Sequence, residues 1–105
     1  MILVFHEQSD VIADELREAL RLVVDPELGI DIVSMGLVRG ISLDGASAHI
    51  DMTLSTPGCP VGPIILNEVE EVARSYGLEP EIALSFDPPW TPDNIDTAAR
   101  GRLAR

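Results

Sequence analysis

The feature that most constrains the fold is a change of hydrophobic period across one proline- and glycine-rich turn. Before the turn, over Ala48 to Ser55, Ile50, Met52 and Leu54 alternate with His49, Asp51 and Thr53. A period of two predicts a strand with one buried and one wetter face. After it, Ile65, Val69, Val72, Ala73 and Tyr76 recur at helical spacing, and Gly77 ends the run. Between them lies Ser55-Thr56-Pro57-Gly58-Cys59-Pro60-Val61-Gly62-Pro63. Asp44-Gly45 is a hairpin signal that ties the strand to an earlier one over Leu37 to Leu43. Glu81 to Phe86, with Ile82, Leu84 and Phe86 on one face, predicts a third strand. If it shares the sheet, the strand–helix–strand unit is a right-handed crossover.

The flanks add helices. Ile2 to Phe5 suits either a short strand or an irregular terminus. Ser9 or Asp10 can cap a helix whose stripe is Ile12, Leu16, Ala19, Leu20 and Val23. Asp25-Pro26 ends it, because a residue before proline avoids helical backbone. Residues 25–36 are too apolar for a floppy linker and predict an ordered loop. Asp87-Pro88-Pro89-Trp90 predicts a rigid turn, after which Thr91 and Pro92 open a last helix with Ile95, Ala98, Ala99 and Leu103 on its apolar edge. The order α-β-β-α-β-α describes an α/β (α+β) domain over residues 1–105. It is a two-layer sandwich of a small mixed three-stranded sheet with helices. Only 4% of the chain is aromatic, so the core must be aliphatic.

Charge narrows the partners. Eighteen acidic residues against seven basic ones give a formal charge of -11, and there is no lysine. Such a surface repels polyanions, so nucleic acid and anionic membranes are excluded as partners. No run approaches the roughly 18 apolar residues of a membrane span. The first residues carry no basic flank and do not read as a secretion signal. A single cysteine allows no intrachain disulfide, which fits a reducing cytoplasmic setting.

That cysteine is the leading candidate for chemistry. Cys59 stands just before a helix, where free backbone N–H groups favour an anion and so a thiolate. The surrounding prolines and glycines keep bulk away and predict an approachable thiol. The competing reading is a buried cysteine acting as a small hydrophobe. One thiolate does not hold a cluster, because cluster irons want four thiolates or close substitutes. A metal role therefore implies a homodimer, a small thiol or a client that shares the site. His6 and His49 read as ordinary surface histidines. Asp25, Glu27 and Asp31 form an acidic cluster, read first as turn-makers and caps and second as contacts for a metal or partner. Trp90 is either a surface anchor for a partner or a plug at the end of the core.

Four motifs then occur in order: Asp25-Pro26-Glu27; Asp31-Ile32-Val33-Ser34-Met35-Gly36-Leu37-Val38; Met52-Thr53-Leu54-Ser55-Thr56-Pro57-Gly58-Cys59-Pro60; and Asp87-Pro88-Pro89-Trp90-Thr91-Pro92. Together, over roughly residues 10–103, they resemble the metal–sulfur cluster biosynthesis family of SufT-like and PaaD-like proteins and a eukaryotic cytosolic assembly factor. The resemblance implies an α/β domain that helps mature iron–sulfur proteins and is not an enzyme. It implies that Cys59 and Thr56, of the Thr-x-x-Cys-Pro motif, meet a transient iron–sulfur cluster, with Asp25, Asp31 and Trp90 in support. The cysteine-rich tail of PaaD-like members does not follow in this sequence, which argues against that branch. Three functions stay open: a cluster assembly or carrier factor for client or scaffold proteins, a cluster-free adaptor docking through Trp90 and the acidic surface, and a thiol enzyme using Cys59.

Overall fold

A computed structural model describes the backbone of residues 2–103 and the side chains of residues 11–100. The first helix, α1, covers Ile2–Ala19 and tightens into a 3-10 turn over Leu20–Leu22. It starts earlier than the caps at Ser9 and Asp10 suggested, and it absorbs Ile2 to Phe5. No proline or glycine occurs before Pro26, so once a turn has nucleated, little opposes its extension. Leu16, Leu20 and Val23 of the expected stripe are buried, while Ile12 is exposed. The side chain of His6 and that of Leu103 lie outside the described residues.

The ordered loop after α1 contains a small ladder where the sequence predicts no strand. Strand β1 (Val24–Asp25) pairs antiparallel with β2 (Ile30–Asp31), in the register Val24 to Asp31 and Asp25 to Ile30. Its cause is local. One oxygen of Asp25, Oδ1, accepts the amides of Glu27 (2.8 Å) and Leu28 (3.2 Å), and the Asp25 carbonyl accepts that of Gly29 (2.8 Å). These bonds turn the chain back on itself.

The main sheet has the expected mixed form, in the order β3-β4-β5. Strand β3 (Val38–Asp44) runs antiparallel to β4 (Ser47–Met52), with a bulge between Val38 and Gly40. Strand β5 (Glu79–Leu84) runs parallel to β4, placing Ile50 beside Ile82. Strand β4 ends at Met52, earlier than the alternation predicts. Thr53 is consequently buried rather than wet, and its hydroxyl donates to the Leu54 carbonyl at 3.3 Å. On the wetter face His49 meets Glu81 across the ladder at 3.3 Å, as suits a surface histidine.

Helix α2 (Gly62–Ser75) packs against β5, and α1 packs against β3. Ile65, Val69 and Ala73 enter one cluster with Leu16, Leu20, Ala48, Ile50 and Met52. Tyr76, expected in that stripe, is 45% exposed because it caps the end of α2 rather than lying within it. Thr91 does cap, but it caps a 3-10 turn over Pro92–Asn94; α3 (Thr97–Leu103) begins later, where Asp96 Oδ1 accepts the Ala98 amide at 2.8 Å. Among the described residues no helix is long and apolar enough to cross a membrane.

Candidate functional site

The turn that carries Cys59 is set by two consecutive backbone bonds. The Cys59 amide donates to the Thr56 carbonyl (3.2 Å), and the Gly62 amide donates to the Cys59 carbonyl (3.1 Å). Thr56 itself is exposed. Gly62 has a packing role: a Cβ there would lie 2.8 Å from Leu54 Cδ1 and 3.9 Å from Cys59 Cβ. Its bare Cα lets the start of α2 settle onto Leu54 beside the cysteine.

This close fit corrects one expectation. Cys59 is not left open by its small neighbours; it is a free cysteine only 8% exposed. The helix start is also less generous to an anion than the sequence suggests. The Gly62 amide is already used, Pro63 has none, and no side chain caps α2. Of the first three amides, at most that of Ile64 remains for an anion.

Asp25 and Trp90, 65 positions apart in sequence, meet in one cleft of about 280 Å³ that Ser55, Glu27 and Leu28 also line. Ser55 opens the cysteine turn, so this cleft adjoins the segment bearing Thr56 and Cys59. Asp25 is 2% exposed and has no cationic partner within ion-pair distance among the described residues. Its two amide donors stand in for a counter-charge. Trp90 is half-buried, and its Nε1 donates to the Met35 carbonyl at 2.7 Å. It therefore serves the core and forms a cleft wall at once.

Asp31 is not part of this group. Its Oδ2 accepts the Ser34 amide at 2.9 Å and pairs with Arg21 at 3.6 Å, while Arg21 Nη1 also reaches Ser34 Oγ at 3.0 Å. A hydrogen bond from Arg21 to Glu18 pushes the Arg21 pKa upward, and a guanidinium is charged in any case. This cluster tethers the end of α1 to the loop after β2. Nothing in the spacing of Arg21, Asp31 and Ser34 announces it.

The double acceptor role of Asp25 predicts a graded response. Asp25→Ala leaves two amides without their acceptor and costs about 1–3 kcal/mol, whereas Asp25→Asn keeps an acceptor oxygen and costs less. Denaturant midpoints of the two variants check this; equal losses would show that the amide bonds are not what the carboxylate contributes.

A small mixed sheet backed by helices, with one thiol locked in the turn between strand and helix, defines a class of α/β domain. The model of the family described as iron–sulfur cluster assembly protein matches residues 13–82. The chain belongs to that family. It is 38% identical to the Fe-S protein maturation auxiliary factor YitW of Bacillus subtilis (strain 168), over 88% of this chain and 93% of the relative. It is 40% identical to the Fe-S protein maturation auxiliary factor SufT of Staphylococcus aureus (strain USA300), over 75% of this chain and 93% of that one. A solved domain of unknown function from Bacillus anthracis shares the fold, with a TM-score of 0.88, 31% identity and coverage of 94% and 97%.

The number of ligands limits what the site can hold. Among the described residues no group of three or more His, Cys, Asp or Glu side chains is arranged to bind a metal ion. One thiolate by itself falls short of the four thiolates or close substitutes that cluster irons want.

Proposed function

We propose that this chain is an auxiliary factor in the maturation of iron–sulfur proteins and that Cys59 is one ligand to a cluster passing through it. The observation that carries the reading is the similarity, over most of both chains, to two relatives named as Fe-S protein maturation auxiliary factors. The single free cysteine in a backbone-clamped turn supports the ligand role. One thiolate requires company, so the remaining ligands come from a second copy, a small thiol or the client. The chain moves cargo and is not an enzyme. A free thiol ligand suits the reducing cytosol.

Anaerobic incubation with iron, sulfide and a small thiol, followed by desalting, tests the proposal. Wild type retains iron and sulfide in near-equal amounts with visible absorbance. A colourless protein overturns the ligand role.

A second reading is supported by the Trp90 cleft. A wall held by a core hydrogen bond is rigid, which suits a cluster-free adaptor that docks a client or scaffold there. It is the reading left standing if the protein stays colourless yet binds a client.

A further inference from the structure

Away from the cysteine turn, the outer surface of the two long helices carries an apolar groove with a one-sign rim. Leu22, 80% exposed, stands where two clefts meet. The first, of about 620 Å³, is lined by the apolar side chains of Val11, Ala19, Leu22 and Tyr76 and by the carboxylates of Asp14, Glu15 and Glu18. The second, of about 310 Å³, runs from Leu22 to Val72 and is edged by Glu68 and Glu71. Among the described residues, Glu18 pairs with Arg21, while Asp14, Glu15, Glu68 and Glu71 have no cationic partner. Leu22 and Tyr76 thus expose large apolar side chains beside carboxylates of one sign.

We infer that this groove docks a basic amphipathic helix of a partner protein, seating apolar side chains at i, i+3/i+4 and i+7 over Leu22 while its lysines or arginines meet the carboxylate rim. Laying an amphipathic helix into an apolar groove is a common mode of partner recognition. The rim selects the occupant by sign. A second copy of this chain would bring the same carboxylates against themselves, and the chain as a whole carries -11; like charges face to face oppose that pairing. Nucleic acid and anionic lipid are repelled by the same field.

The groove is separate from the cysteine turn. Helix α2 has 14 residues, about 21 Å at 1.5 Å per residue; the turn lies at its start, and the groove uses its second half, from Glu68 to Tyr76. Docking thus holds a partner without covering the thiol, and it does not depend on the ligand role of Cys59.

The probe is a dye-labelled peptide of about 18 residues, roughly five helical turns, with leucines at helical spacing and lysines elsewhere. Two controls are a scrambled peptide of equal composition and a twin with glutamate for lysine. Anisotropy titrations should show the lysine peptide binding at least about tenfold more tightly than the scramble, and no binding of the glutamate twin. Leu22→Asp, at a site too exposed to unfold the domain, weakens binding at least about tenfold. Leu84→Ser, an exposed leucine on β5, leaves it unchanged, as does Cys59→Ser. Raising salt from about 0.1 M to 1 M weakens it as the screening length shrinks. Amide NMR shifts on titration gather at Leu22, Val72 and Tyr76. Equal binding of the scramble, an unaltered affinity in Leu22→Asp, or shifts gathered at Trp90 overturn the proposal. So does sedimentation showing that wild type self-associates and Leu22→Asp does not.

Discussion

Gly36→Ala lowers the stability of this domain by about 2–5 kcal/mol, far more than the same change at Gly29. Gly36 has φ of 78°, and a Cβ there would sit 2.7 Å from the carbonyl oxygen of Asn94. Two costs therefore add: the left-handed backbone costs an alanine about 1–2 kcal/mol, and forcing atoms into a filled space costs about 1–3 kcal/mol. The obstacle is backbone, so no rotamer change removes it. Asn94 is also pinned, because its side chain accepts the Thr91 amide at 3.0 Å and the following Asp96 amide donates to the Ser34 carbonyl at 2.7 Å. Moving it would loosen Ile95, a cleft-lining residue that is buried in the core. Gly29 is the matched control: φ is 69° and nothing lies within 4 Å of its added Cβ. Only the backbone cost applies there. Thermal melts followed by circular dichroism separate the two, at about 4–8 °C per kcal/mol for a domain near this size. Equal midpoints for Gly29→Ala and Gly36→Ala would show that the contact with Asn94 carries no weight.

The same loop shows what a sequence can and cannot disclose. The β3–β4 hairpin and the span of α2 were legible because their causes are local: Asp44-Gly45, strict alternation, and a stripe ended by Gly77. The early start of α1 was not, since a cap signal at Ser9 or Asp10 states a preference that a helix with no breaker upstream overrides. Nor was the β1–β2 ladder, which arises when the side chain of Asp25 captures two amides beyond a proline. Tyr76 fits the period of α2 yet stays exposed, because a periodic pattern does not say where the covering layer stops.

The site divides in the same way. The turn around Cys59 and the turn-making role of Asp25 could be read from residue types alone. The meeting of Asp25 with Trp90 could not, because it depends on how the segment after β5 folds back across the molecule. Family resemblance placed Asp25, Asp31 and Trp90 together, but the geometry sorts them. Asp25 and Trp90 share a cleft, whereas Asp31 is engaged by Arg21 and Ser34.

The proposed ligand role makes Cys59→Ala the decisive substitution, because it separates two roles that burial confounds. Cys59 is 8% exposed, so a purely structural cysteine and a ligand in a clamped turn look alike in the fold. They differ in what its removal does. Taking away one buried sulfur resembles deleting a single methylene, and such changes cost about 0.5–1.5 kcal/mol. The backbone bonds that form the turn, from the Cys59 amide to Thr56 and from the Gly62 amide to Cys59, do not involve the side chain and persist. Cys59→Ala is thus expected to stay folded, with its melting point lowered by no more than about 4–8 °C per kcal/mol lost, yet to retain no iron or sulfide after anaerobic reconstitution. Cys59→Ser should behave alike in metal retention, since a hydroxyl replaces none of the thiolate character that cluster iron requires. Thr56→Val, on an exposed residue that contributes its carbonyl rather than its side chain to the turn, keeps the fold and reports whether the hydroxyl aids retention. Wild-type levels of iron in a folded Cys59→Ala protein would assign the cysteine to packing and the bound iron to other ligands.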